Sequence, residues 1–337
     1  MTDLTVDETT EPRLAARVGN AFRSLFSDGL LLVVLIALIV FFSLLLPDTF
    51  PTTFNMRSIL SEKSVILLMA LGLALPLVTN QFDLSVGYVL CLSHILMIGL
   101  QVRTGLSWPL AALLVLLAGA AIGLVNGLLV TKAQINSFIA TLGSGTAIYG
   151  VALWYTHGEQ VVGNISPGFI DLSGTTAGIP RAALYALVAC FALWILLEYL
   201  PVGRHLYVTG ANPRAAELLG LPTQRYTIAA FIGSSTLTAL AGIILASQLG
   251  VGQITVGPEY LLPAFAAVLL GATVFKRGRV NVWGTVVAVL LLAVTVSGLQ
   301  QLGAQSWVDP LFNGLMLIVA VGVAGWVSRL RAAAGRD

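Results

Sequence analysis

Long apolar runs separated by short polar segments dominate the chain from about residue 29 onward. Several approach twenty residues without a charged side chain, which is the length an α-helix needs to cross the hydrocarbon core of a bilayer. A β-barrel would instead show strands of roughly ten residues with alternating polarity. The pattern therefore predicts an all-α polytopic membrane protein with about ten transmembrane helices, at residues 29–46, 60–80, 84–101, 108–130, 136–157, 181–200, 226–249, 260–275, 281–301 and 308–327.

Two of the apolar regions, 60–101 and 250–275, are interrupted, either by a surface loop or by a helix break within the membrane. LSVGYVLCLSHILMIGL (84–100) and ITVGPEYLLPAFAAVLLG (254–271) share the order small polar residue, Val, Gly, apolar helix. The predicted spans place these segments towards opposite sides of the membrane, which is typical of inverted repeats. Chance recurrence of Val-Gly in a chain rich in both residues is the alternative. The interrupting residues are Pro76, Asp83, Gly87, Pro258 and Pro263.

Composition supports this class. Of the 337 residues, 57% are apolar and 9% are charged, whereas a soluble domain carries about 25% charged residues. The net charge of +2 is too small to indicate nucleic acid as a partner. We expect a cytoplasmic N-terminal tail at 1–28, a single transmembrane domain at 29–327 and a cytoplasmic tail at 328–337.

The distribution of Lys and Arg predicts the orientation, because cytoplasmic loops carry an excess of these residues. With the N-terminus inside, thirteen cations fall in cytoplasmic segments and four outside, so we expect both termini in the cytoplasm. The inside set is Arg13, Arg17, Arg23, Lys132, Arg204, Arg214, Arg225, Lys276, Arg277, Arg279, Arg329, Arg331 and Arg336, and the outside set is Arg57, Lys63, Arg103 and Arg181.

The sequence shows no catalytic constellation. It lacks the G-x-x-x-x-G-K-[ST] loop that cradles ATP phosphates. The three histidines lie in separate regions and there is no C-x-x-C, so we predict no metal site and no cofactor in this chain. A proton- or sodium-driven carrier would need an intramembrane relay, for which only Asp83 and His94 are available. Two residues are few for such a relay.

Asp83 stands in an otherwise uncharged region, and a lone carboxylate at the bilayer centre costs roughly 2.5–3.5 kcal/mol. We favour a structural role, capping a helix that starts at Leu84, where a carboxylate accepts amide hydrogen bonds and suits the positive end of the helix dipole. Contact with solute hydroxyls along a water-filled path and a proton relay are the alternatives.

Neutral hydrogen-bonding residues in or beside the spans are the other candidates for a translocation path. In membranes such residues more often join helices than bind a ligand. The candidates for the path are Asp83, Ser85, Asn126, Asn136, Thr141, Gln248, Thr255 and Asn313.

The loop PVGRHLYVTGANPRAAELLGLPTQR (201–225) is predicted to contain a two-turn helix at 212–220 on the cytoplasmic side. Asn212 suits the N-cap, Pro213 the first helical position and Gly220 the C-terminal stop. So short a helix is unstable alone and must pack on something. It is either a simple connecting turn or a docking helix that a soluble partner grips. Its apolar face would be Leu218, Leu219 and Leu221.

Five segments closely resemble the permease subunits of ribose-type ABC importers, within the branched-chain amino acid/ribose permease superfamily. They occur in family order over about residues 30–326. The segments are FDLSVG (82–87), VNGLLVTKAQINSFIATLG (125–143), GRHLYVTGANPRAAELLGL (203–221), ALAGIILASQLG (239–250) and VLLGATVFKRGRVNVWGT (268–285).

This resemblance implies a bacterial inner-membrane permease with a cobalamin-permease-like (type II) fold that imports a ribose-like pentose, a hexose or a related polyol. It implies a second permease subunit, cytoplasmic ATPase subunits that bind ATP and Mg, and an extracytoplasmic sugar-binding protein that delivers substrate to outer loops at 158–178, 250–259 and 302–308. It also implies that the short helix is the coupling helix that enters the ATPase. The coupling residues would be Asn212, Pro213, Arg214, Ala215, Ala216, Glu217, Leu218 and Leu219.

The chain departs from the family pattern at two places. Asn80-Gln81 stands where paired glycines are usual, and Tyr149-Gly150 stands where Arg-Gly is common. Both departures fit an unusual substrate or one half of a heterodimer. The rival functions are a branched-chain amino acid permease, an ion-driven secondary transporter and a structural membrane scaffold.

Overall fold

The computed structural model describes the backbone of residues 29–276 and 278–333, with side chains up to residue 322. The predicted tail at 1–28, including its three arginines, lies outside the described residues, as do Arg277 and residues 334–337. The described part is predominantly helical. Its helices are α1 Leu30–Leu45, α2 Thr53–Val78, α3 Val86–Thr104, α4 Trp108–Thr131, α5 Ser137–Thr156, α6 Pro167–Ile170, α7 Arg181–Glu198, α8 Pro201–Ala211, α9 Pro213–Leu218, α10 Thr223–Leu249, α11 Pro258–Gly271, α12 Val282–Gln301 and α13 Val308–Ala333.

Each predicted span falls on one of these helices. In the described part of the chain, seven helices are long and apolar enough to cross a membrane, namely α2, α3, α4, α5, α7, α10 and α12. The apolar helices α1 and α11 and the described part of α13 are shorter. The chain is therefore a polytopic helical membrane protein.

Several helix ends differ from the prediction because polar residues can begin a helix that an apolar run does not mark. α2 begins at Thr53 instead of residue 60, since the Thr52 hydroxyl accepts a hydrogen bond from the Asn55 backbone N–H (3.2 Å) and caps it. α10 begins at Thr223 instead of residue 226.

Two regions predicted as irregular contain further structure. The whole helix α8 was missed, although Pro201 at its first position after an extended Leu200 is a recognised helix start. The outer segment 158–178 contains α6, a 3₁₀ turn at Asp171–Ser173 and the first strand of a hairpin. In this hairpin β1 Thr175–Thr176 pairs antiparallel with β2 Ile179–Pro180.

Helix α10 lies at the centre of the bundle and packs against α2, α3 and α4. Gly119, Gly123 and Gly127 form a stripe along α4 that faces α10, and an added methyl group at each would overlap atoms of α10. A lipid environment provides little hydrophobic drive between helices, so close approach of backbones through small residues is what joins them.

Both interrupted regions are breaks between helices. Residues 79–85 separate α2 from α3, and residues 250–257 separate α10 from α11. The two Val-Gly motifs meet here, because Gly87 and Gly257 lie backbone to backbone, and a side chain at Gly257 would overlap Gly87. Gly257 has φ of +131°, a conformation that favours glycine. This contact pairs the two similar segments, and their origin as inverted repeats stays a prediction.

The outer helices expose continuous apolar surface. Val188 on α7 is 68% exposed and Trp154 on α5 is 74% exposed, and α4 presents a row of leucines. A soluble monomer rarely exposes apolar patches of this extent. The buried core instead lies between α2, α7, α10, α11 and α12, with a second cluster between α3, α4 and α5.

Candidate functional site

Asp83 lies in the break between α2 and α3 and is fully buried. Its Oδ1 accepts hydrogen bonds from the Ser85 backbone N–H (3.1 Å) and hydroxyl (2.5 Å), and its Oδ2 accepts one from the Ser234 hydroxyl on α10 (2.9 Å). α3 begins at Val86, so the predicted helix start at Leu84 was two residues early. Asp83 therefore satisfies an amide just before the helix, which favours its structural role.

Two further helices hold the same break. The Asn126 side-chain amide on α4 donates to the Ser85 hydroxyl (2.9 Å), and the Thr141 hydroxyl on α5 accepts from the Leu84 backbone N–H (2.9 Å). Side chains of α4, α5 and α10 thus converge on one unwound segment and satisfy its polar groups, as buried polar groups require. We call this group the Asp83 cluster: Asp83, Ser85, Asn126, Thr141 and Ser234, all fully buried.

The turn before the Asp83 cluster contains Asn80 and Gln81, which stand where ribose-type permeases usually have paired glycines. Asn80 adopts φ of +57°, a left-handed conformation that glycine favours and that asparagine tolerates better than most residues. The chain therefore turns at this position although the usual glycines are replaced.

The remaining predicted path residues lie elsewhere. Asn136 is exposed and caps α5, since its Oδ1 accepts a hydrogen bond from the Phe138 backbone N–H (3.0 Å). Thr255 is exposed in the break before α11. Gln248 and Asn313, in contrast, line one cavity. The structure therefore divides the predicted path residues between the Asp83 cluster, this cavity and two separate surface positions.

The cavity has a volume of about 820 Å³. It lies between the N-terminal half of α2, the end of α10 and the first turns of α11 and α13, at the end of the bundle that also carries Ser173 of the outer segment. We call it the polar cavity. The polar side chains that line it are Ser61, Glu62, Lys63, Ser173, Gln248, Glu259, Tyr260, Ser306, Asp309 and Asn313.

Negative charge predominates in the polar cavity. Glu62, Glu259 and Asp309 face a single ammonium group, that of Lys63. Among the described side chains none of the three carboxylates makes a salt bridge. Sequence reasoning missed Glu62 and Asp309 because both stand at span ends, where a charge usually means only a solvated helix terminus.

His94 on α3 holds the second break, at residues 250–257. Its Nε2 accepts a hydrogen bond from the Gln253 backbone N–H (3.1 Å), which ties the segment before α11 to α3. No hydrogen bond among the described residues joins His94 to Asp83, and no three His, Cys, Asp or Glu side chains in that part of the chain converge as metal ligands do. His94 therefore satisfies a buried amide.

The sequence left two possibilities for the break before α11, a surface loop or a helix break within the membrane. Gly252 exchanges two backbone hydrogen bonds with Val161 of the outer segment (both 2.9 Å). Gly252, Val256 and Gly257 are buried. This arrangement joins the outer segment directly to a buried break between two helices.

The predicted two-turn helix forms as α9. The Asn212 side chain caps it by accepting from the Ala215 backbone N–H (3.0 Å), and the Thr223 hydroxyl donates to Glu217 (2.8 Å). The helix packs on the chain through Ala216, which is fully buried. The predicted apolar face does not pack on the bundle: the Leu218 and Leu219 side chains are 89% and 78% exposed, and only Leu221 is half-buried. Both interpretations of the helix, a connecting turn and a docking helix, therefore stay predictions.

Helix α8, directly before α9, is braced against the loop between α11 and α12. The Tyr207 hydroxyl donates to the Val280 carbonyl (2.7 Å), and the Arg279 guanidinium lies 3.6 Å from the centroid of the Tyr207 ring. Burial raises the pKa of the Tyr207 phenol. Lys276 in the same loop forms a salt bridge with Glu198 at the end of α7 (2.5 Å). These contacts join α8 to the loop between α11 and α12, and that loop to the end of α7.

A family model described as the permease component of branched-chain amino acid transport systems matches residues 55–321. The chain belongs to this permease family. The match includes both breaks, the polar cavity and α9, so the features described above lie within the family's own domain. No solved structure gives a significant match to this permease.

Several curated proteins are similar to this permease over most of its length. The ribose import permease protein of Bacillus subtilis is 36% identical over 289 residues, covering 85% of this chain and 89% of the relative. The ribose import permease protein of Escherichia coli K12 is 33% identical, with 86% and 91% coverage. The D-allose transport system permease protein of the same strain is 29% identical, with 88% and 91% coverage. These relatives confirm the resemblance to ribose-type permeases.

Proposed function

We propose that this permease is the membrane-spanning subunit of an ATP-binding-cassette importer in a bacterial cytoplasmic membrane. It passes a sugar, such as a ribose-like pentose, a hexose or a related small polyol, into the cytoplasm. Ten helices span the bilayer in a type II arrangement, with both termini in the cytoplasm and residues 29–327 forming one transmembrane domain. ATP and Mg bind to separate ATPase subunits.

The exposed leucines of α9 carry this proposal. Leu218 and Leu219 are adjacent and almost fully exposed, and an exposed apolar patch on a capped helix suits burial against another protein. The Asn212 cap and the Glu217–Thr223 hydrogen bond fix the helix to the bundle. A push on α9 therefore reaches the bundle through α8 and its braces instead of being lost in a flexible loop.

The similar proteins and the polar cavity both support a sugar as the transported solute. The similar proteins from Bacillus subtilis and Escherichia coli are named as permeases for ribose and D-allose, and both sugars are neutral polyols. The polar cavity carries hydroxyl, amide and carboxylate groups that hydrogen-bond such solutes. Gln248 and Asn313 are proposed to contact the solute, whereas the Asp83 cluster stabilises the conformation of the break between α2 and α3.

A second permease copy, or a related chain, and a delivery protein complete the assembly. Gly143 and Gly150 lie on an exposed face of α5 with open space beside them, which suits close packing by a second permease. A sugar-binding protein that presses on the outer segment would act on the second break through the Val161–Gly252 pairing.

Reconstitution tests the proposal. Proteoliposomes that contain the permease, its ATPase and its binding protein should import D-ribose with ATP and not with an ion gradient alone. Leu218→Asp combined with Leu219→Asp should abolish uptake, because the charges oppose burial in the ATPase. Val202→Asp, on the exposed face of α8, is the matched control and should retain uptake. Uptake by the permease alone under an ion gradient would contradict the proposal.

Import of a branched-chain amino acid is the second candidate, and the family description favours it. The carboxylates and the Lys63 ammonium of the polar cavity offer partners for both charges of a zwitterion. L-leucine uptake that is driven by ATP and is not inhibited by D-ribose would establish this candidate in place of sugar import.

A further inference from the structure

An apolar cavity of about 280 Å³ lies between α2, α7 and α12. We call it the apolar groove. Apart from Lys63 and Ser64, the side chains that line it are apolar. Ile179 and Leu187 line the groove and are exposed, so it opens on the outer surface of the bundle. Val188, next to Leu187, is also exposed, and an apolar surface of this kind suits contact with lipid.

The groove exists because α7 directs small side chains towards α2 and α12. Ala183, Ala186 and Cys190 line it at a spacing that places them on one face of the helix. Side chains beside an unfilled space lose the close contacts that stabilise a packed bundle. A flexible apolar chain that enters the groove would restore these contacts.

The groove extends from the end of the bundle that carries the hairpin towards the middle of the membrane. The end of α12 meets the start of α2, where the Ser297 hydroxyl donates to Asn55 (2.9 Å). Trp283, in the first turn of α12, therefore lies at the deep end, where its ring packs against Phe191 with the centroids 5.3 Å apart.

The length of the groove fits an acyl chain. On α7 the residues that line it run from Ala183 to Cys190, a distance of about 10 Å at 1.5 Å per residue. The hydrocarbon region of one leaflet is about 15 Å thick, which is half of the bilayer core. The groove therefore matches much of the length of one lipid chain.

Two cations of α2 stand beside the groove. The half-buried Lys63 lines it. The exposed Arg57 guanidinium lies against Gly178, where an added methyl group would overlap it, and the next residue, Ile179, lines the groove. Among the described residues neither cation forms a salt bridge. Their positions differ by about 9 Å along the helix axis, so two long side chains can reach one anionic group from both sides.

We propose that the apolar groove binds one acyl chain of an anionic phospholipid, whose phosphate pairs with Arg57 and Lys63. Basic side chains attract anionic lipid headgroups, whereas the ammonium group of phosphatidylethanolamine opposes this pairing. Lys63 also lines the polar cavity, whose carboxylates compete for its ammonium, but Arg57 does not line that cavity. This lipid site is independent of the solute that the permease transports.

Native mass spectrometry of the full-length permease in detergent tests the site. Dioleoyl-phosphatidylglycerol and dioleoyl-phosphatidylethanolamine are added in equal amounts. One phospholipid per permease chain should be retained, with phosphatidylglycerol preferred roughly fivefold or more. Ala183→Phe fills the groove and should abolish this retention. Arg57→Gln combined with Lys63→Gln should leave the acyl chain bound and remove the preference for phosphatidylglycerol.

Two matched controls assign the effects to the groove. Val188→Phe adds the same ring to α7 at an exposed position that does not line the groove, and it should retain the lipid. Arg103→Gln removes a cation that stacks on Tyr155 at the end of α3, and it should keep the headgroup preference.

The results decide between lipid and other occupants. Equal binding of both phospholipids by the unaltered permease, or unchanged retention by Ala183→Phe, would overturn the lipid site. A lipid-free dimer that Ala183→Phe dissociates would also overturn it, because a second permease copy would then cover the groove. The two charge substitutions decide the question even if Ala183→Phe is not produced. Since neither solute nor ATP is present, failure of the lipid site leaves the proposed import function to its own reconstitution test.

Discussion

At the scale of single residues, the carboxylate of Asp83 is held by its neighbours. Three donors, from Ser85 and Ser234, occupy its two oxygens. Because hydrogen bonds to a charged group are stronger than neutral ones, these contacts offset the cost of placing a carboxylate among apolar helices. The same contacts attach the break after α2 to α10. The Asp83 side chain therefore connects the start of α3 with the central helix of the bundle.

Asp83→Ala should therefore reduce folding more than it changes solute preference. The substitution leaves buried donors of Ser85 and Ser234 without an acceptor, which costs about 1–3 kcal/mol for each unsatisfied group. We expect low yield and a lower melting temperature in detergent, with unchanged preference among sugars in any protein that inserts. Asp83→Asn keeps one acceptor oxygen, so its melting temperature should lie between those of the unaltered protein and Asp83→Ala. A stable Asp83→Ala protein with altered preference would assign Asp83 to the translocation path.

At the scale of elements, the contact between α4 and α10 depends on the absence of side chains. The stripe of Gly119, Gly123 and Gly127 lets the two backbones approach more closely than any other residue would allow. Glycines at this spacing are typical of close contact between membrane helices. Which helix they contact could not be predicted, since α4 and α10 lie about a hundred residues apart in the chain.

Gly123→Ala should destabilise the permease, although alanine normally stabilises a helix by about 0.5–1 kcal/mol relative to glycine. The added methyl would overlap the backbone of Phe231, and overpacking of this kind costs about 1–3 kcal/mol. Gly314→Ala on α13 is the matched control, because nothing lies within 4 Å of the position. Thermal unfolding in detergent should show a loss for the first variant only, and equal stability would contradict the close contact.

At the scale of the whole molecule, the sequence was most informative where a pattern is local. Apolar runs located the helices, and the Asn-Pro pair at 212–213 located α9 with its cap. The polar cavity could not be predicted, because it is assembled by four helices that carry Glu62, Gln248, Glu259 and Asp309 at distant positions. Each of these residues, taken alone, resembles an ordinary helix end, and only their packing makes them one site.

The side of α9 that faces the bundle could not be predicted from the sequence either. Leucines normally indicate the buried face of a helix, but in α9 the small Ala216 faces the bundle while Leu218 and Leu219 face away. A short helix that is held by its cap and by hydrogen bonds needs little apolar contact with its own chain. Its leucines are then available to a partner.

The central claim is that this chain has no ATPase of its own and is moved by an ATPase subunit through α9. The side of the membrane on which α9 lies, and the protein that it contacts, test this claim. The measurement is cysteine cross-linking with Leu219→Cys in the assembled importer, using the buried native thiols as background. We expect a cross-link to the ATPase subunit, and labelling by an impermeant thiol reagent only after the membrane is opened. Labelling from outside intact cells, or failure to cross-link to any ATPase, would contradict the account.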